Sequence, residues 1–204
     1  FDCALLFVDI SGFTSSMERF ATQGSRGTER FWRAISGYFG SLLREIYSRG
    51  GDVECFAGDA MMVSFGAEEV ASHPIGALIL ARHLALHGDV QSEADARLAV
   101  ATKVAVDAAA AMLRTMSPYT RVERDFPGPG QDMQLLLTLH GSVGAGGLTA
   151  LELIHADTGE TARGKRWHYV CGPVIGQLAR AHAISAANDC VLSKQAARAA
   201  GADA

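Results

Sequence analysis

The chain has no excess of positive charge and no long apolar run. Its 204 residues carry a formal net charge of −4. Proteins that bind nucleic acid are usually basic, so this charge excludes nucleic acid as the expected partner. No apolar stretch reaches the roughly 18 residues that a membrane span needs. The longest candidate, 98–113, contains Lys103 and Asp107 and is typical of a buried helix.

Cysteine is also scarce and forms no metal-binding motif. The four cysteines, Cys3, Cys55, Cys171 and Cys190, include no C-x-x-C pair, and three lie among residues that favour strands. We therefore expect free, buried thiols and a cytoplasmic protein. The histidines are scattered along the chain and predict no metal site of their own. The chain begins with a strand pattern instead of a signal peptide and lacks an initial methionine, so we expect a domain of a longer protein.

What is present is a globular composition, with 49% hydrophobic and 20% charged residues. The apolar spacing predicts helices over 13–22, 28–48, 75–86, 94–116 and 173–186. It predicts strands over 3–9, 52–56, 60–65, 133–143, 147–155, 167–171 and 190–192. The segment 118–130, with three prolines, is interpreted as a surface loop. This order predicts an α+β domain with a mostly antiparallel sheet covered by helices on one face.

Two aspartates, Asp9 and Asp59, each lie at one end of a short apolar strand. Holding a charge beside a dry core is costly unless something pairs with it. Two carboxylates from separate strands would repel each other, but a divalent cation between them stabilises both. This predicts metal-assisted chemistry on a phosphate group. A simpler alternative is that Asp9 caps the helix that follows and Asp59 fills a turn.

The residues after Asp9 are suited to binding phosphate. Ile10, Ser11, Gly12, Phe13 and Thr14 lead from the first strand into a predicted helix. Backbone N–H groups at a helix start are free to bind an anion, and a glycine lets it approach closely. A carboxylate, a helix start and a second carboxylate in a hairpin turn form a workable nucleotide–metal site.

Residues 7–14 (FVDISGFT) and 56–60 (FAGDA), with a Gly-Gly-Asp at 50–52, closely resemble motifs of the class III nucleotidyl cyclases. The resemblance is strongest to the first catalytic domain of the bicarbonate-responsive soluble adenylyl cyclases. It is close over 1–90 and looser over 135–195. It implies a ferredoxin- or palm-like fold for a domain spanning 1–195. An insertion then falls at about 90–132, and 196–204 is an alanine-rich tail or linker.

The resemblance also implies an activity, the conversion of ATP to cyclic AMP and pyrophosphate by an adenylate cyclase, which is a lyase. Two such domains pair head to tail, and the nucleotide lies between them. Asp9, Asp59 and the backbone of Ile10 would hold two Mg²⁺ or Mn²⁺ ions. The backbone of 10–14 would contact the β- and γ-phosphates while the ribose 3′-hydroxyl attacks the α-phosphorus.

Other positions depart from the pattern of a self-sufficient cyclase. The adenine-reading lysine of the family falls on Cys55, and the second base-reading position falls on Tyr169. The ribose-orienting asparagine falls on Gly176, and a basic residue that contacts phosphate falls on Leu139. The transition-state arginine is retained as Arg180. We therefore expect the metal-donating half of a pair, completed by a second cyclase domain.

The pseudo-symmetric second pocket of such a pair would be lined by Cys55, Tyr169, Val170 and Arg180. In the soluble cyclases that this chain resembles, the pocket holds bicarbonate. Arg180 could attract such an anion, although a surface salt bridge explains an arginine equally well. Three alternatives stay open: a non-catalytic cyclase-like module that dimerises and senses an anion or nucleotide, GTP as substrate, and a polymerase-like palm. The palm expects a G-G-D-E-F signature, which the sequence lacks.

Overall fold

A computed structural model of the chain describes residues 1–86, 93–154 and 166–202. The strands are β1 Asp2–Ser11, β2 Asp52–Ala57, β3 Ala60–Gly66, β4 Tyr119–Glu123, β5 Met133–Gly147, β6 Thr149–Ile154, β7 Arg166–Cys171 and β8 Cys190–Leu192. The helices are α1 Phe13–Ala21, α2 Gly24–Tyr47, α3 Ala67–Ser72, α4 Pro74–Leu86, α5 Glu93–Met116, α6 Pro173–His182 and α7 Lys194–Ala200.

The main sheet has the strand order β2-β3-β1-β5-β4, and each neighbouring pair is antiparallel. Strand β8 adds to β5 in the parallel direction, and β6 with β7 forms a separate two-stranded ribbon. This arrangement confirms the predicted α+β class with a mostly antiparallel sheet covered by helices. No helix in the described ranges combines the length and apolarity that crossing a membrane requires.

Strand β1 lies at the centre of the sheet and separates two cores. Its even-numbered side chains from Ala4 to Ile10 are buried in the larger core, which includes residues of α2 and α5. Cys3 and Leu5 point the other way and pack in a smaller core with Val174 and Leu178 of α6. Since side chains alternate along a strand, both faces of β1 are covered. The expected helix layer on a single face was therefore wrong, because α6 covers the second face.

The sequence interpretation of 118–130 as a loop was wrong over Tyr119–Glu123, which forms β4. The reason is the unusual length of β5, whose 15 residues offer room for two partners on one edge. Residues 133–137 of β5 pair with β4, and residues 141–143 pair with β8. The predicted break near Gly144 is also absent, since β5 runs on to Gly147.

The C-terminal alanines form an ordered helix in the described structure. Ser193 caps α7 by accepting a hydrogen bond from the backbone N–H of Ala196, at 3.0 Å, and Ala196 is buried in the larger core. Gly201 ends the helix in the left-handed conformation that favours glycine. The domain division at 195 and the insertion at about 90–132 stay predictions, while α5, which spans most of that stretch, packs against β1 and β5.

Replacing Tyr38 by phenylalanine should lower the free energy of unfolding by about 1 kcal/mol. The buried Tyr38 hydroxyl donates to the carbonyl of Met116 at 3.1 Å, and without it that carbonyl loses its partner. Burial also raises the pKa of Tyr38 above its ordinary value near 10. The protonated phenol therefore stabilises the fold below about pH 10 and loses this contribution as the pH rises further.

Urea denaturation from pH 7 to 11 would measure both effects. The wild-type chain should lose more stability above pH 10 than Tyr38→Phe does. Tyr47→Phe is the matched control, because Tyr47 is 53% exposed at the end of the same helix. Equal losses in the two variants at pH 7 would contradict the prediction.

Candidate metal and nucleotide site

Asp9 and Asp59 lie at the same end of neighbouring strands. Asp9 is near the end of β1 and follows Val8, which pairs with Met61 of β3. Asp59 lies in the turn between β2 and β3, two residues before Met61. Both aspartates are half-buried. The register of the sheet therefore places the two aspartates at the same end of neighbouring strands, and their joint binding of a metal stays a prediction.

Asp9 does not act as a helix cap. Its Oδ1 accepts a hydrogen bond from the backbone N–H of Ile10 at 2.9 Å, within β1. Helix α1 has Gly12 as its N-cap residue and receives no side-chain capping bond. The alternative in which Asp9 serves only to cap this helix is therefore wrong. Asp59 does occupy a tight turn, after Gly58 with its φ of 68°.

The segment from Ile10 to Thr14 leads from β1 into helix α1. The side chain of Ile10 is buried in the larger core, and Gly12 and Thr14 are exposed. Helix α1 starts at Phe13, and its first intrahelical bond runs from Ser16 N–H to the Gly12 carbonyl at 3.1 Å. The N–H groups of the first turn therefore have no partner within the helix and are positioned to bind an anion.

Gly12 is held in place by a close approach to β5. A Cβ at this position would lie 2.6 Å from the carbonyl oxygen of Leu136, and the φ of Gly12 is 89°. Gly12→Ala should therefore destabilise the fold by about 2–3 kcal/mol, because a left-handed backbone and a clash with rigid backbone are combined. Gly58→Ala is the matched control, since Gly58 has a φ of 68° and a Cβ added there would meet no heavy atom within 4 Å.

Thermal or urea unfolding of the two variants would check this prediction. Gly58→Ala should lose only about 1 kcal/mol, the cost of the left-handed conformation alone. A loss for Gly12→Ala no greater than that of Gly58→Ala would contradict the role of the contact with Leu136.

Two histidines that the sequence did not single out stand beside Asp9. His140 pairs with Asp9 directly across β1 and β5, and its Nε2 lies 3.3 Å from Asp9 Oδ2. The His182 ring, at the end of α6, stacks on the His140 ring with 4.8 Å between centroids. Leu139, the position expected to replace a phosphate-binding base, is buried in the core. The residue next to it, His140, faces the site, and only the strand register reveals this.

An apolar cleft of about 400 Å³ adjoins the histidines on the α6 face of the sheet. Its wall is formed by Phe7, Met62, Ile175, Leu178, Ala179, His182 and Ala183. The Phe7 and His182 rings meet edge to face at 4.7 Å. Burial and the nearby His140 lower the pKa of His182, while Asp9 acts in the opposite direction. This environment favours a neutral imidazole at His182.

The residues expected to line the second pocket are only partly brought together. Cys55 pairs with Met62, and Met62 and Val170 both pack against the smaller core, so Cys55 and Val170 lie in one region. Tyr169 is exposed on the neighbouring ribbon. Arg180 is exposed on α6 and lines a different groove, formed with α7 and β8.

A contact between β2 and β7 fixes the ribbon beside this region. His168 Nε2 lies 2.7 Å from Glu54 Oε2. Burial and the charge of Glu54 raise the pKa of the Cys55 thiol. Cys55 and Cys171 are nevertheless exposed, so the expectation of buried thiols was wrong for these two, while Cys3 is buried as predicted.

The sequence matches no family model. It does match curated relatives over part of its length. Adenylate cyclase type 10 of Mus musculus is 31% identical over 124 residues, which cover 59% of this chain and 8% of the mouse protein. Adenylate cyclase type 10 of Homo sapiens is 33% identical over 90 residues, which cover 43% of this chain and 6% of the human protein. The chain thus spans less than a tenth of the length of these relatives.

Solved structures extend the similarity to nearly the whole chain. The adenylyl cyclase CyaB from P. aeruginosa superposes with a TM-score of 0.54 at 16% identity, covering 97% of this chain and 79% of that one. The chain is therefore similar in sequence to adenylate cyclase type 10 over 59% of its length, and it has the class III cyclase fold. The guanylate cyclase domain of RhGC from Catenaria anguillulae, in complex with GTP, shares this fold with a TM-score of 0.51 at 14% identity, covering 97% and 81%. Because both adenylyl and guanylyl cyclases share the class III fold, the fold does not distinguish ATP from GTP as the substrate.

Proposed function

We propose that this domain is the metal-donating half of an adenylyl cyclase that converts ATP to cyclic AMP and pyrophosphate. The observation that carries the proposal is the placement of Asp9 and Asp59 at the same end of β1 and β3. The start of α1, which receives no side-chain capping bond, follows β1 directly. Similarity to adenylate cyclase type 10 supports ATP as the nucleotide. A cytoplasmic location is part of the same proposal. The test is a cyclase assay of the domain paired with a complementary one, before and after replacement of the two aspartates.

The donor set fits Mg²⁺ or Mn²⁺. Both ions prefer oxygen ligands. The proposed ligands at this end of β1 and β3 are the carboxylates of Asp9 and Asp59 and the backbone carbonyl of Ile10. Among the described residues, Asp59 has no hydrogen-bond or ion-pair partner that would compete for its carboxylate. Bound metal would supply Lewis acidity, lowering the pKa of the ribose 3′-hydroxyl and neutralising charge on the phosphates.

The chain's own residues then bind and orient the triphosphate. The backbone N–H groups at the start of α1 would donate to the β- and γ-phosphates, since they have no partner within the helix. The backbone from Ser11 to Thr14 would make these contacts, and Gly12 and Thr14 are exposed. The 3′-hydroxyl would lose its proton to solvent, its oxygen would bond to the α-phosphorus, and the bond from that phosphorus to the bridging β-phosphate oxygen would break and release pyrophosphate. These contacts fix the phosphate chain in line for that displacement.

The base-reading half of the site would come from a second cyclase domain, paired head to tail in the same or another polypeptide. Cys55 and Gly176 offer this chain no side chain that can select adenine or orient the ribose. Arg180 lines the groove beside α7, and we propose that it acts on a nucleotide held across the domain interface. Bicarbonate stays a candidate ligand, and Arg180 would attract the anion from the groove beside α7, outside the region of Cys55 and Val170.

A further inference from the structure

Asp9, His140 and His182 form a compact cluster from three separate elements, β1, β5 and the end of α6. One ligand atom from each residue can be chosen so that all three lie within 4.8 Å of one another. Over residues 1–86, 93–154 and 166–202, this is the single group of three or more such side chains that meets this criterion. The cluster borders the apolar cleft, so it lies on the face of the sheet that α6 covers.

The fold orients the His140 ring. The Ser11 hydroxyl lies 3.2 Å from His140 Nδ1, which fixes the ring with Nε2 directed toward Asp9. Histidines that bind metals usually have their second ring nitrogen held in this way, because the bond sets the tautomer and direction of the ligand atom. His140 therefore has the environment of a metal ligand before any ion arrives.

The His182 ring has an unsatisfied buried nitrogen. Within the described part of the chain, His182 Nδ1 is buried and makes no hydrogen bond. Leaving a buried polar nitrogen without a partner is unfavourable, so such an atom calls for an explanation. A ligand bond from a nitrogen of this ring would provide one, either directly at Nδ1 or by a small rotation of the ring.

The distances suit a tetrahedral transition metal. Ligand atoms at about 2.0–2.1 Å from Zn²⁺ are spaced about 3.4 Å apart around a tetrahedron. Asp9 Oδ2 and His140 Nε2 already lie 3.3 Å apart. Since no separation in the cluster exceeds 4.8 Å, a shift of His182 by about 1–1.5 Å would complete the three-ligand geometry.

We propose that Asp9, His140 and His182 form a second metal site, selective for Zn²⁺ over Mg²⁺. Two imidazole nitrogens and one carboxylate are ligands that suit Zn²⁺, whereas Mg²⁺ requires oxygen. The site shares Asp9 with the edge that is proposed to hold the catalytic ions. If the proposed function holds, Zn²⁺ excludes Mg²⁺ from Asp9 and inhibits the cyclase. The binding of Zn²⁺ itself does not depend on that function.

Isothermal titration calorimetry of the chain with Zn²⁺ tests the site without any assay of activity. We expect one Zn²⁺ per chain, with at least about 10-fold weaker binding for His140→Ala and for His182→Ala. His182→Gln is the second variant, since it keeps a polar side chain of similar length should the alanine variant fail to fold. Circular dichroism would establish that each variant is folded.

His73→Ala is the matched control. His73 also has a buried Nδ1 without a hydrogen-bond partner, and within the described ranges it belongs to no cluster of metal-ligating side chains. Its replacement should leave Zn²⁺ affinity unchanged. Wild-type affinity in folded His182 variants, or an equal loss in His73→Ala, would overturn the proposal.

Titration with Co²⁺ identifies the ligand atoms. Cys55 and Cys171 are exposed and free, and either could bind Zn²⁺ adventitiously through sulfur. Nitrogen and oxygen ligation gives Co²⁺ visible bands without the near-ultraviolet charge-transfer band of a thiolate. A thiolate band at the first equivalent would overturn the proposal. If Zn²⁺ binds through the histidines but the paired domain makes no cyclic nucleotide, the proposed function fails and the site stands.

Discussion

Replacing Asp9 or Asp59 by asparagine should reduce cyclic AMP formation by the paired enzyme by at least about 10²–10³-fold. Asparagine keeps the shape of each side chain but removes the charge that draws a divalent cation to the edge of β1 and β3. The double variant should be little worse than either single one, because the two carboxylates act as one unit. Initial rates with Mg²⁺ and with Mn²⁺ would measure the loss.

Asp52→Asn is the control for this prediction. It makes the same change of charge in the same hairpin, but Asp52 is exposed at the opposite end of β2, where it pairs with Ser64. Its activity should stay within about twofold of wild type, in keeping with the small energies of exposed charges. Full activity in Asp9→Asn would refute the metal role. Retained nucleotide binding with no turnover in any variant, wild type included, would favour the non-catalytic sensor module.

The isolated chain should form cyclic AMP slowly, and a complementary cyclase domain should raise its rate by on the order of 10² or more. The reason is the proposed half-site, in which Cys55 and Gly176 take the positions expected to read adenine and to orient the ribose. Mixing the chain with a domain that carries the missing lysine, asparagine and arginine would measure the gain. An isolated chain as fast as the mixture would contradict the half-site model.

A gain-of-function variant sharpens this test. The double substitution Cys55→Lys and Gly176→Asn should raise the activity of the isolated chain, because each copy would then offer a base-reading half to the other. Helix α6 has room for the asparagine, since the nearest atom to a Cβ at Gly176 is Arg180 Nη1 at 3.6 Å. The single variant Gly176→Ala, which adds bulk without an amide, should give no gain.

Much of the fold could be predicted from local sequence patterns. The continuous apolar run over 3–9 and the helical spacing over 28–48 coincide with β1 and α2. The failures come from long-range pairing. Strand β4 is short and half exposed, so its own sequence shows little strand pattern, and only its pairing with the first part of β5 makes it a strand.

Some residues of the candidate site could likewise be selected from local sequence patterns, and others could not. The FVDISGFT segment and the Gly58-Asp59 turn are local signals, so Asp9, Asp59 and the residues from Ile10 to Thr14 could be selected from the sequence. His140 and His182 could not, because nothing near them in the sequence marks them as ligands. They become neighbours of Asp9 through the register of β1 with β5 and the packing of α6 across the sheet.

By itself, the sequence indicated the class of fold and selected Asp9 and Asp59 as candidate metal ligands, because element patterns and short motifs depend on residue type and short-range spacing. The tertiary structure alone decided which side chains share a face with Asp9. A register shift of one residue would turn His140 toward the core and Leu139 toward the site. That choice depends on hydrogen bonds between strands more than a hundred residues apart, which no local pattern encodes.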